Sequence, residues 1–238
     1  MRTRFSAVLV LLAVLSTHAS AQVNLGGLLK KFPGSGLSEK DASLGIKDAL
    51  AQGVSKAVLN LHKTDGFYGN ELYKMLLPPD SQKAEKALRK IGLGSQVDRA
   101  ILAINRGAED AVGSATPIFT NAIKEMTVTD ALGIVKGNND AATQYFRRKT
   151  SQELMATFTP PVKTSLDKTN ATRYYTDLAT TYNRLPTSFD KVNPDLTAYV
   201  VGKAVDALFD QIAQEEANIR KDPLARTTDI LKKVFGSR

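Results

Sequence analysis

The sequence predicts an all-α protein, an antiparallel bundle of roughly eight to ten helices with little or no sheet. Three observations predict it. Apolar residues recur at three-to-four spacing in one segment after another, helix start and stop signals bound those segments, and the period-two alternation of half-buried strands is missing.

The first residues follow a different logic. Arg2 and Arg4 precede a nearly unbroken apolar run from Phe5 to Leu15, and Ala19-Ser20-Ala21 supplies the small residues of a cleavage site before Gln22. Residues 1–21 therefore read as a signal peptide, and the run falls short of the roughly 20 residues needed to span a bilayer. The mature chain has no segment that comes closer. Residues 22–36 form a Gly-rich basic leader without periodicity, and residues 37–236 are expected to make a single helical domain.

Composition narrows the function. The chain has 238 residues, no cysteine and a net charge of +8, which falls by two when Arg2 and Arg4 are removed. Without cysteine there is no thiol catalysis, thiolate metal site or disulfide, so stability must come from packing. An exported chain of this kind fits a Gram-negative periplasm. A basic surface favours anionic partners, here a small molecule or an envelope component such as a phospholipid headgroup, with nucleic acid excluded by compartment. Much of the charge, as at Lys83, Lys86, Arg89 and Lys90, reads as solvated helix face.

Ser38 with Asp41 opens the first helix in capping-box fashion, and Ile46, Leu50, Val54, Val58 and Leu61 line its face. From His62 to Asp80, TDGFYGN and Pro78-Pro79 mark a loop, with a short extended piece at Leu72–Leu77. A helix over 81–91 stops at Gly92 and Gly94, and Ser95 is expected to cap the next, which carries Val97, Ile101, Ile104, Ala108 and Val112. Pro117 suits a first turn before Phe119 and Ile123. Thr127 with Asp130 opens a short helix that Gly137 ends.

The stretch GNNDAATQYFRRKT, residues 137–150, then starts a helix capped by Asn139 or Asp140, with Ala142 and Phe146 on its apolar side. Thr150 with Glu153 suggests a bend or restart, and Pro160-Pro161 an end. After Asn170, Tyr174, Tyr175, Leu178, Tyr182 and Leu185 make an aromatic-rich stripe, which reads as core packing. The longest helix is expected from Asn193-Pro194 to Lys221, with Glu216 on its buried face and Arg220 one turn on. A last helix over 223–235 follows Asp222.

Together with GNNDAATQYFRRKT, the YNRLP after the tyrosine helix and EEANIRKDPLARTTDILKKVFG at the end resemble an uncharacterised bacterial exported family, domain of unknown function 4197. LSEKDASLGIKDAL and DGFYGN fit the same pattern. The resemblance runs from about Leu37 to Gly236 and implies an exported helical protein with no established activity.

The residues point one step further, to a polar centre. The 137–150 stretch and the end of the long helix are expected to face one another, with Arg147 or Arg148 close to Glu216 and Arg220 or Arg226 close to Asp140. Read as a site, Asp140, Thr143, Tyr145, Arg147, Arg148, Glu216, Arg220 and Arg226 form an anion-friendly pocket, because guanidinium forks and helix N-termini suit phosphates and carboxylates. The resulting function is a ligand- or partner-binding module of the envelope. Two alternatives stand beside it: a structural protein whose polar centre is only a charge network, and a glycan-cleaving enzyme using Asp140 and Glu216. Catalysis is the weakest of these, since His62 is the one histidine left after export, no triad can be assigned and tryptophan is absent. No cofactor or metal site is expected. Asp65 and Asn70 in TDGFYGN lack the ligand alternation of a calcium loop and read as a plain turn.

Overall fold

The computed structural model describes residues 38–186, 191–193 and 195–221. The signal segment, the leader, the last helix and Arg226 lie outside the described residues. Among the described residues there is no strand, and the helices are α1 (Glu39–His62), α2 (Gln82–Lys90), α3 (Gly94–Val112), α4 (Thr116–Glu125), α5 (Val128–Lys136), α6 (Ala141–Lys168), α7 (Ala171–Asn183) and α8 (Thr197–Lys221), with single 3-10 turns at Pro79–Ser81 and Gly113–Ala115. The fold is all-α, and none of these helices is long and apolar enough to cross a membrane.

Local chemistry explains most boundaries. Both capping boxes form: the Ser38 and Thr127 hydroxyls accept from the Asp41 and Asp130 amides, and each aspartate accepts from its cap's N–H. Pro117 occupies the first turn of α4, Gly137 closes α5, and Gly92 takes a φ of 87° after α2, a conformation glycine adopts without a Cβ penalty.

Several expected boundaries need correction. Helix α6 runs unbroken through Thr150 and through Pro160-Pro161 to Lys168. The Thr150 hydroxyl donates back to the Phe146 carbonyl at 2.8 Å instead of starting a new helix. The prolines sit on the solvent side, where carbonyls that lose a donor can bind water, while Leu154, Phe158, Val162 and Leu166 stay buried on the other face. Helix α3 starts at Gly94 without a side-chain cap, since Ser95 bonds Gln96. Helix α8 starts at Thr197, later than expected: Asn193 accepts from the Asp195 N–H at 3.0 Å and Asp195 from the Thr197 N–H at 2.8 Å, so two successive side-chain turns lead into it. The Leu72–Leu77 piece, expected to be extended, opens in a turn over 71–73 and takes no regular structure over 74–76.

Antiparallel neighbours follow from paired contacts that run in opposite directions. Thr143 meets Glu216 while Arg147 meets Asp206, which sets α6 against α8. Lys56 with Glu215 and Asn60 with Gln211 set α1 against α8 in the same way. Helices α3 and α6 cross where a Cβ at Gly107 would lie 2.9 Å from Leu166 Cδ2. At the centre Phe119 stacks edge-on to Phe146 at 5.4 Å and to Phe209 at 6.1 Å, all three fully buried.

Candidate functional site

The motif of residues 137–150 and the end of α8 do meet, through a carboxylate. Glu216 caps α6 from outside: Oε1 accepts from the Ala142 N–H and Oε2 from the Thr143 N–H, each at 2.9 Å, and the Thr143 hydroxyl donates to Oε2 at 2.9 Å. Arg220 donates to Glu216 Oε1 from Nε at 3.1 Å and Nη2 at 2.7 Å, and Nη2 also reaches the Ile134 carbonyl at 2.8 Å, near the end of α5. A positive helix start and a negative helix end are thus both held by one ion pair. Both side chains are 6% exposed. The space beside them, lined by Ile46, Leu50, Phe146 and Ile212, is about 30 Å³, the room of a water molecule.

The expected pairings of Arg147 and Arg148 with Glu216, and of Arg220 with Asp140, are corrected, while that of Arg226 lies outside the described residues. Arg147 stands 4.5 Å over the Phe209 ring and 3.7 Å from Asp206 Oδ1, because each turn forward on α6 lies against an earlier turn of α8. Arg148 is exposed. With Lys149 it adds to the lowering of the Asp130 carboxyl, which the Thr127 hydrogen bonds lower first. Glu216 takes its cation from its own helix instead. Arg220 turns to Glu216 and Ile134, while Asp140 makes no cap bond and accepts from Gln144 Nε2 at 3.1 Å. Tyr145 is buried, its hydroxyl directed to the Ala122 carbonyl at 3.5 Å. Burial raises its pKa, with Asp130 and Glu125 adding to the effect.

A second polar centre was not singled out in the sequence. Glu109 on α3 accepts from the Phe67 N–H at 3.1 Å and the Tyr68 N–H at 3.0 Å through Oε1, and from Arg106 Nη1 at 2.7 Å through Oε2. Arg106 continues to Asp65 at 2.7 Å, and His62 Nδ1 donates to the Glu109 carbonyl at 2.7 Å. The TDGFYGN segment is a pinned turn. Asp65, at φ 64°, is held by Arg106, and Asn70 accepts from the Leu72 N–H. At Gly66 a Cβ would lie 2.3 Å from the Leu61 carbonyl oxygen, so the chain passes too close to α1 for a side chain.

Downstream of that turn, Asn105 behaves as a substitute strand partner. Its amide donates to the Met75 carbonyl at 2.7 Å and accepts from the Met75 N–H at 2.8 Å, while Tyr199 donates to the Leu76 carbonyl at 3.0 Å. The pinned run leaves a cleft of about 440 Å³ against α8, lined among others by Leu72, Tyr73, Lys74, Leu76, Lys203 and Asp210. Tyr73 donates to Asp210 at 2.7 Å and accepts from Gln214 at 2.7 Å and Gln211 at 3.1 Å. Asp206, also on the cleft wall, is the partner of Arg147. Lys74 lies 4.3 Å over the Tyr68 ring, and among the described residues neither it nor Lys203 has a carboxylate partner.

Burial, then the hydrogen bond to Asp210, pushes the Tyr73 phenol up to about 12 from 10.0. A raised folded-state pKa favours the protonated phenol, so its contribution to stability is intact below pH 10 and is lost as pH climbs through about 12. In an alkaline titration followed by phenolate absorbance, Tyr73→Phe is expected to remove one late-titrating phenol. An unchanged late phase would show that Tyr73 ionises like a free tyrosine.

A family model described as "Protein of unknown function (DUF4197)" matches residues 36–236, nearly the whole chain. No curated protein matches the chain, and no solved structure matches it.

Proposed function

We propose that this chain, which belongs to the DUF4197 family, is an exported binding module of the cell envelope that holds an anionic ligand with an apolar portion in the cleft between residues 72–79 and α8. The charge balance of that cleft carries the reading. Its carboxylates are engaged, Asp210 by Tyr73 and Gln214 and Asp206 by Arg147, whereas among the described residues the cations Lys74 and Lys203 form no ion pair. Leu72 and Leu76, 77% and 51% exposed, offer apolar contact at the same wall. A volume of about 440 Å³ with a few convergent polar groups and a perturbed phenol is what a small-molecule site needs. Export rests on the order of charge, apolar run and small residues in 1–21, which lies outside the described residues.

The Glu216–Arg220 centre favours the charge-network reading for its own residues. The anion at the start of α6 is the chain's own Glu216, so an external phosphate would have to displace a buried, multiply bonded carboxylate. Nor does the placement of Asp140 and Glu216 support glycan cleavage, since both Glu216 oxygens are committed to Ala142, Thr143 and Arg220.

Calorimetric titration of the mature protein with hexyl phosphate tests the cleft. Saturable binding is expected, about tenfold weaker in Lys203→Ala because a charge-assisted contact is lost. No heat with the parent protein, or equal affinity in the variant, would remove the assignment.

A further inference from the structure

The cleft wall continues onto α2, and the surface it leads to has a composition of its own. Gln82 lines the cleft together with Leu72 and Leu76. Lys86 and Lys90 follow it at i+4 and i+8, so helical periodicity places the three on one outward stripe. Ala84 and Leu88 are buried on the opposite side, which leaves the stripe no alternative but solvent or a partner. The one carboxylate of α2, Glu85, is paired with Arg89 at 2.9 Å, and Arg89 also takes Asp98 at 2.7 Å. Helix α2 itself carries four lysines and arginines against that one carboxylate.

We infer that this face docks the protein on a lipid surface carrying anionic headgroups. Lysine ammonium groups on flexible stems meet phosphates as point charges without needing a shaped socket, and they favour an anionic leaflet by long-range attraction. Exposed Leu72 and Leu76, beside Gln82 on the cleft wall, are large apolar side chains that enter the headgroup boundary and add a contribution salt does not screen. The buried side of α2 packs on α3 and α7, so the helix stays attached to the bundle and only its outer stripe engages the membrane. The docking stands whether or not the cleft also takes a soluble ligand.

The test is co-sedimentation of the mature full chain with phosphatidylcholine vesicles and with vesicles of phosphatidylcholine mixed with phosphatidylglycerol. Binding is expected to the mixed vesicles alone and to weaken as salt is raised. The double variant Lys86→Glu/Lys90→Glu, whose side chains are exposed and whose helicity is checked by circular dichroism, should lose affinity about tenfold or more. Leu72→Ser/Leu76→Ser should weaken binding while leaving the salt slope unchanged. Equal binding to neutral vesicles, no binding to either, or a lysine double variant that binds like the parent each overturns the inference. A Lys203→Ala protein that binds hexyl phosphate more weakly yet still sediments like the parent would show that the two surfaces act separately.

Discussion

Replacing Glu216 with alanine is expected to cost about 3–5 kcal/mol, the range for breaking a buried pair by removing one partner. Three losses coincide. Arg220, 6% exposed in its side chain, is left without its carboxylate, the Ala142 and Thr143 amides at the head of α6 lose their acceptor, and the Thr143 hydroxyl loses its bond. Arg220 retains its bond to the Ile134 carbonyl, a neutral acceptor. For a chain of this size the loss corresponds to a fall in Tm of roughly 10 °C. Glu216→Gln, which keeps an oxygen acceptor and the side-chain shape, should cost about 2 kcal/mol. The paired replacement Glu216→Leu/Arg220→Met should recover much of the loss by removing both buried charges, short of the missing cap on α6. Urea unfolding followed by circular dichroism measures all three. An alanine variant within about 1 kcal/mol of the parent would mean that water already carries these bonds.

Glu216 was legible because its position is abnormal: a carboxylate at helical spacing among Ile212 and Ile219 must find a partner, and Arg220 stands four residues on. The capping boxes at Ser38 and Thr127 were legible for a similar reason, since both members lie within one turn. What the spacing does not carry is the register between helices. Arg147 was expected at Glu216 because both are charged and nearby in the fold, yet antiparallel packing places Arg147 against Asp206 and Phe209, further back along α8. The prolines at 160 and 161 misled because their effect depends on which face they occupy, and burial of Phe158 and Val162 decides that only once α6 packs. Asn105, Glu109 and Tyr73 left a weaker trace. Asn105 and Glu109 sit four apart within an otherwise apolar α3 face, a pattern comparable to that of Glu216, but their partners are backbone groups of a loop with no helical period to announce it.

Glu109 is accordingly the position where a single change should separate loop order from global stability. Its side chain is 5% exposed and holds the Phe67 and Tyr68 amides, so Glu109→Ala strands a fully buried N–H at Phe67 and frees the turn that precedes the cleft. The expected loss is about 2–4 kcal/mol, less than at Glu216 because Arg106, 32% exposed, keeps Asp65 and water. Glu109→Gln preserves the acceptor oxygen for both amides and should cost about 1 kcal/mol. The diagnostic measurement is amide hydrogen exchange: in the alanine variant Phe67, Tyr68 and Met75 should exchange faster while Ala142 and Thr143 keep their protection. Because Phe67 and Tyr73 lie ring to ring at 6.4 Å, loosening the turn also loosens the phenol that forms the cleft floor. Hexyl phosphate binding should therefore weaken in Glu109→Ala and persist in Glu109→Gln. Retained protection at Phe67 and Tyr68 in the alanine variant would mean that the turn is held by its own backbone bonds, such as Gly66 N–H to Lys63 and Asn70 N–H to Phe67, and not by the carboxylate reaching in from α3.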